Sequence, residues 1–88
     1  MAELTDALQV AGWTIADDGR AIEKTFRFAN FRSAMGWMVQ ASFEAEDLNH
    51  HPEWENVYNR VKVRLTTHDT GGLTKLDIAL AERMEKIG

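Results

Sequence analysis

The three histidines of the chain, His50, His51 and His68, all lie between residues 50 and 68. Histidine is the one side chain whose ordinary pKa lies near neutrality, so a cluster of them is the simplest route to acid–base chemistry. His50 and His51 are adjacent, and neighbours in an extended segment point in opposite directions, so they need not share one role. Three histidines also suit zinc, but two adjacent residues rarely ligate one ion and the HExxH spacing is absent. A metal site is therefore not expected. The chain has no cysteine, which excludes disulfides, thiolate metal sites and cysteine nucleophiles. Ser33 and Ser42 both fall inside a helical pattern, so neither reads as a nucleophile. No GxGxxG is present, and Thr70-Gly71-Gly72 is too short to cradle a phosphate. Gly71-Gly72 reads most simply as a connector.

The elements that must hold these residues follow from periodicity. Leu4, Ala7, Leu8 and Ala11 recur at helical spacing over 3–11, and Gly12 stops that helix. Trp13-Thr14-Ile15 reads as a short strand, Asp17-Asp18-Gly19 as a turn, and 21–28 as a second strand. In that strand Ile22, Phe26 and Phe28 share one side, with Lys24 as the polar exception. Asn30 caps a long helix expected to run to about Glu46. Its apolar stripe is Phe31, Ala34, Met35, Met38, Ala41 and Ala45, widened by Trp37, Val39 and Phe43. Ser42 can bond back to a carbonyl one turn earlier. Residues 48–54 read as a loop fixed by Pro52, the only proline. Val57-Tyr58 and 60–67 read as strands around a turn at Asn59. Thr74 caps a last helix, with Asp77 at its third position as a near capping box. The order α-β-β-α-β-β-α predicts a two-layer α+β domain: a four-stranded antiparallel sheet with three helices on one face. Such a sheet lets a helix end (His50, His51) and a strand end (His68) meet at one rim.

Length and charge bound the rest. The 88 residues make one domain, expected to span 1–88. A net charge of −4, from 10 Lys+Arg against 14 Asp+Glu, argues against nucleic acid and anionic membranes as partners. No apolar run approaches the ~18 residues of a membrane span, and no signal-peptide pattern opens the chain. A soluble, cytoplasmic protein is the expectation. At this size a monomer buries only about 60–65 % of its unfolded surface, so association would help.

From Glu46 onward the chain reads E-x3-H-H-P-x5-Y-x9-H-x8-D, through Glu46, His50, His51, Pro52, Tyr58, His68 and Asp77. This pattern, with His50-His51-Pro52-Glu53-Trp54, Asn56-Val57-Tyr58-Asn59 and Thr67-His68, resembles the pterin-4a-carbinolamine dehydratase family. In animals that family is also known as a dimerisation cofactor of a homeodomain transcription factor. The resemblance covers most of the chain, from Gly12-Trp13 to Asp77-Ile78, with no departure inside the pattern. It implies an enzyme that removes the C4a hydroxyl of a 4a-hydroxytetrahydropterin as water, giving the quinonoid dihydropterin in tetrahydropterin recycling. It implies neither a metal nor an organic cofactor.

The resemblance puts His50, His51 and His68 at the catalytic site, with His51 and His68 near C4a and N5 and His50 positioning or sharing the transfer. Five further residues are expected at the substrate. Glu46 would hold a histidine tautomer or bond the amino-pyrimidine edge, unless it is only a solvated carboxylate. Trp54 would stack on the pterin or plug the loop, and Pro52 would support the histidine pair. Asp77 and Trp13 complete the set, although Asp77 also reads as a cap. Family members are dimers or tetramers, so self-association is implied. Two rival readings stand beside the enzyme: a scaffold that stabilises another protein's dimer, and a metal-dependent hydrolase built on the three histidines.

Overall fold

A computed structural model of the chain describes residues 3–87, and its elements come in the order α-β-β-α-β-β-α. α1 spans Asp6–Val10, shorter than expected because Thr5, not a residue nearer Glu3, caps it by accepting from the Leu8 N–H. Gly12 ends this segment at φ +109, a conformation that side chains resist. β1 (Thr14–Ile15) and β2 (Ile22–Arg27) form the first hairpin.

α2 spans Phe31–Leu48. Asn30 caps its start, accepting from the Ser33 N–H at 2.8 Å, and the Ser42 hydroxyl donates to the Val39 carbonyl as its position suggested. The helix runs two residues beyond Glu46 because Asn49 supplies a left-handed stop at φ +50. The Asn49 N–H donates to Glu46 O and the His50 N–H to Ala45 O, which is the Schellman pattern. The backbone of His50 is thereby fixed to the end of α2.

β3 spans Glu53–Val57 and β4 Arg60–Leu65, joined by Tyr58-Asn59 with Tyr58 at φ +49. This corrects two expectations. Trp54 stands in a strand rather than a loop, and Tyr58 stands in the turn rather than a strand. The reason is the register, Glu53↔Arg64 through Val57↔Arg60, which alternates Glu53, Glu55 and Val57 outward with Trp54 and Asn56 inward. Pro52 is tolerated just before an edge strand, where no ladder bond is lost.

All pairings are antiparallel, in the spatial order β1-β2-β4-β3. The inner face presents Ile22, Val61, Val63 and Leu65, fully buried under the helices. Lys24 is the polar residue on that face, as anticipated. Its ammonium reaches Glu85 at 2.6 Å and lies 4.4 Å from the Phe26 ring centroid. α3 spans Lys75–Glu85, and the Thr74–Asp77 capping box is fully formed. Among the described residues, no helix is long and apolar enough to cross a membrane.

Candidate functional site

Because Glu53 opens β3 opposite Arg64 near the end of β4, the chain entering β3 and the chain leaving β4 lie at the same end of the sheet. His50-His51-Pro52 enters there and Thr66-Thr67-His68 leaves there. The N-terminus of α3 reaches the same rim through Asp77.

Asp77 is the best-defined group of the rim. It is 0 % exposed, yet every approach to its carboxylate is polar. Oδ1 accepts from His50 Nε2 at 2.5 Å, while Oδ2 accepts from the Thr67 hydroxyl and the Thr74 N–H, each at 2.9 Å. The Thr74 hydroxyl in turn lies 2.7 Å from that of Thr67. A buried carboxylate is tolerated only when donors replace its lost hydration, and these three do so. One buried anion thus ties together the end of α2, the exit of β4 and the start of α3. The carboxylate also sets the His50 tautomer with its proton on Nε2.

His51 turns the other way and is exposed. Its Nε2 donates to Glu46 Oε1 at 2.9 Å. His68 is exposed on the segment after β4, with Nε2 3.0 Å from Glu53 Oε2. Each histidine therefore has its own carboxylate: Asp77, Glu46 and Glu53. The three residues stand on segments at one end of the sheet. Among the described residues, no three His, Asp or Glu side chains are gathered as a metal ion would need.

The remaining expected residues divide. Pro52 is half-buried between His51 and β3. Trp54 is half-buried on the inner face, packed against the core with its ring 6.4 Å from that of Trp37. Trp13 is only 1 % exposed; its indole N–H donates to Glu85, and its ring meets Phe26 edge-on. Glu85 is eight residues beyond Asp77 on α3, roughly 12 Å along the helix. Both are thus buried: Trp13 packs in the core, and Asp77 meets the His50 ring.

Sequence reasoning did not single out Glu53, Thr67 and Arg64 for the site. Arg64 lies on the open face of the sheet, where its guanidinium meets Asp18 at 2.9 Å, Glu23 at 3.3 Å and Glu53 at 3.5 Å. The Arg20 backbone N–H, and then Arg64, hold the Asp18 carboxyl below its ordinary range; Asp18 above all strengthens the hold of Arg64 on its proton. A shallow depression of about 210 Å³, lined by Glu53, Trp54, Glu55, Lys62 and Arg64, adjoins this cluster. The signal that could have found Glu53 and Arg64 was the β3–β4 register, which the misplaced strand start concealed.

Comparison with known proteins adds a separate line of evidence. Residues 1–87 match the family described as Pterin 4 alpha carbinolamine dehydratase. A Rhizobium johnstonii protein bearing the name pterin-4-alpha-carbinolamine dehydratase is 59 % identical over 85 residues, covering 97 % of this chain and 81 % of that one. An Opitutus terrae protein of the same name is 60 % identical over 80 residues, covering 90 % and 80 %. Among solved structures, a "transcriptional coactivator/pterin dehydratase" from Brucella melitensis superposes with a TM-score of 0.84, at 44 % identity, over 96 % of both chains.

Proposed function

Since the chain belongs to the Pterin 4 alpha carbinolamine dehydratase family, we propose that it is a hydro-lyase acting on a 4a-hydroxytetrahydropterin, such as 4a-hydroxytetrahydrobiopterin. The products would be the quinonoid dihydropterin and water, and the role one of cytoplasmic tetrahydropterin recycling. The observation that supports this best is the shared rim, where the β3–β4 register brings His51 and His68 to one end of the sheet beside a buried His50–Asp77 pair.

The reaction needs two proton movements. The C4a–O bond breaks as the hydroxyl takes a proton and leaves as water. The N5 lone pair forms the C4a=N5 bond, and the N5 proton passes to a base. One proton enters and one departs, so no redox partner is required. Losing hydroxide at neutral pH is hard and losing water is easier, so a donor at the hydroxyl has most to contribute. General acid–base help is worth roughly 10²–10⁴-fold per group. We assign these transfers to His51 and His68, which are exposed and each backed by a carboxylate. His50 is held in one orientation by Asp77, and we assign it to shaping the rim and sharing the transfer. Glu46 orients His51 through Nε2, Pro52 stiffens the pair, and the exposed part of Trp54 would flank the planar substrate.

Self-association belongs to the same reading. Val39 and Phe43, one turn apart on α2, are 54 % and 71 % exposed, an apolar pair that a second copy would cover.

The test is dehydration of a 4a-hydroxytetrahydropterin supplied by an aromatic amino acid hydroxylase, followed by absorbance of the quinonoid product. The reading requires acceleration over buffer that survives a chelator. No acceleration overturns it, and a chelator-sensitive rate points to the metal-dependent alternative.

A further inference from the structure

The carboxylate behind His68 belongs to a charged cluster on the open face of the sheet. Arg64 directs each of its guanidinium nitrogens at a different carboxylate: Nη2 at Asp18, Nη1 at Glu23 and Nε at Glu53 Oε1. The second oxygen of Glu53 faces His68 Nε2 at 3.0 Å. Glu53 is therefore shared between a cation fixed in the sheet and an imidazole beyond it.

The two partners differ in how they are held. Glu53 opens β3 with Arg64 as its register partner, so the ladder sets its backbone, and an ion pair of 3.5 Å with Arg64 Nε draws its carboxylate to that side. Asp18 and Glu23 hold Arg64 from the opposite side, and a planar fork with three filled directions has little freedom left. His68 instead lies on the exposed segment after β4, where its ring is 76 % exposed. An isolated exposed pair contributes little to stability, so stability does not account for this arrangement. Orientation does, because a proton-transferring ring on an exposed segment is productive only while it points at its target. The Nε2 approach lies off the line of a formed hydrogen bond, and such contacts tighten when substrate fixes the ring.

We infer that Glu53, anchored by Arg64, is a positioning residue for the proton transfer at His68. This rests on the reading of His68 as a catalytic group. Glu53 touches no substrate atom in this scheme and acts through the ring.

The experiment compares Glu53→Gln, Glu53→Asp, Glu23→Gln, His68→Ala and the Glu53→Gln/His68→Ala double variant by steady-state kinetics. It adds NMR of the His68 ring resonances in the wild type, E53Q and E23Q. E53Q should lower kcat about 10-fold with KM within about twofold, a part of the full acid–base factor. E53D should recover some of that loss. E23Q leaves Arg64 held by Asp18 and next to Glu53, and it does not touch His68, so it should stay near wild type. On the His68→Ala background E53Q should add nothing, because a residue acting through the ring is silent without it. E53Q should move the His68 resonances and leave those of His50 in place. Equal losses from E53Q with and without His68 would make Glu53 a sheet residue and overturn the inference, as would unmoved His68 resonances. If the wild-type protein dehydrates nothing, the reaction reading falls by itself. The NMR comparison then decides the contact: moved resonances uphold Glu53 as the holder of the ring, and unmoved ones overturn it.

Discussion

His50 and His51 are neighbours in the chain with opposite surroundings. His50 points inward to a carboxylate with no exposure, and His51 points outward to one in solvent. The alternation of an extended segment produces this split, and Pro52 biases His51 towards such geometry. Substitution should therefore separate the two. His51→Ala should lower kcat/KM by roughly 10²-fold or more with little change in Tm, since an exposed side chain is removed and a general acid–base group is lost. His50→Ala should lower Tm as well, because it leaves Asp77 without its ring partner. Thermal unfolding beside kinetics checks both; equal Tm losses would contradict the split. The Asp18 carboxyl, held low by the Arg20 N–H and by Arg64, makes a pH prediction. A depressed folded pKa stabilises above the unfolded value, and that contribution is lost as pH falls through the folded one. The Tm advantage of wild type over Asp18→Asn should thus shrink as pH drops below the ordinary carboxylate range. Parallel Tm curves for the two proteins would contradict it.

At the scale of elements, the rim is a junction of three ends: the stop of α2, the exit of β4 and the cap of α3. Asp77 joins them, and removing it leaves the His50 ring, the Thr67 hydroxyl and the Thr74 N–H without their acceptor. Asp77→Ala should cost about 3–5 kcal/mol, in line with breaking a buried pair from one side. Denaturant unfolding measures it, and a cost below about 1 kcal/mol, the scale of a lone N-cap, would show that the network is not cooperative. Asn49 occupies the left-handed region that stops α2 just before His50. Asn49→Val should cost about 1–2 kcal/mol through that conformation alone. It should also lower activity, because the Schellman turn fixes the His50 backbone; full activity at reduced stability would contradict the link. Much of this junction was legible in the sequence. Thr74 announced its cap and the alternation of Val61, Val63 and Leu65 announced β4, while the α2 stop at Asn49 lay beyond the end expected near Glu46. The start of β3 was not legible, because Glu53-Trp54-Glu55-Asn56 has no apolar alternation and only pairing with β4 makes it a strand. The placing of Trp13 in the core was not legible either. Its contacts with Glu85 and Phe26 are long-range, and no local spacing reveals them.

For the whole molecule, small size and an exposed α2 face point the same way. An 88-residue chain has a limited core, and covering Phe43 in a second copy would bury one of its largest exposed side chains. Light scattering should give a mass at least twice 10.0 kDa, and Phe43→Glu should shift it towards the monomer. A wild-type mass of one chain at high concentration would contradict this. The chemistry itself depends on protons moved at one end of the sheet. Its most direct test is the dehydration rate of the His51→Ala/His68→Ala variant beside wild type, with circular dichroism confirming that both are folded. The wild type should be fast and the variant indistinguishable from buffer. A folded double variant that still dehydrates at the wild-type rate would place the chemistry elsewhere and contradict this.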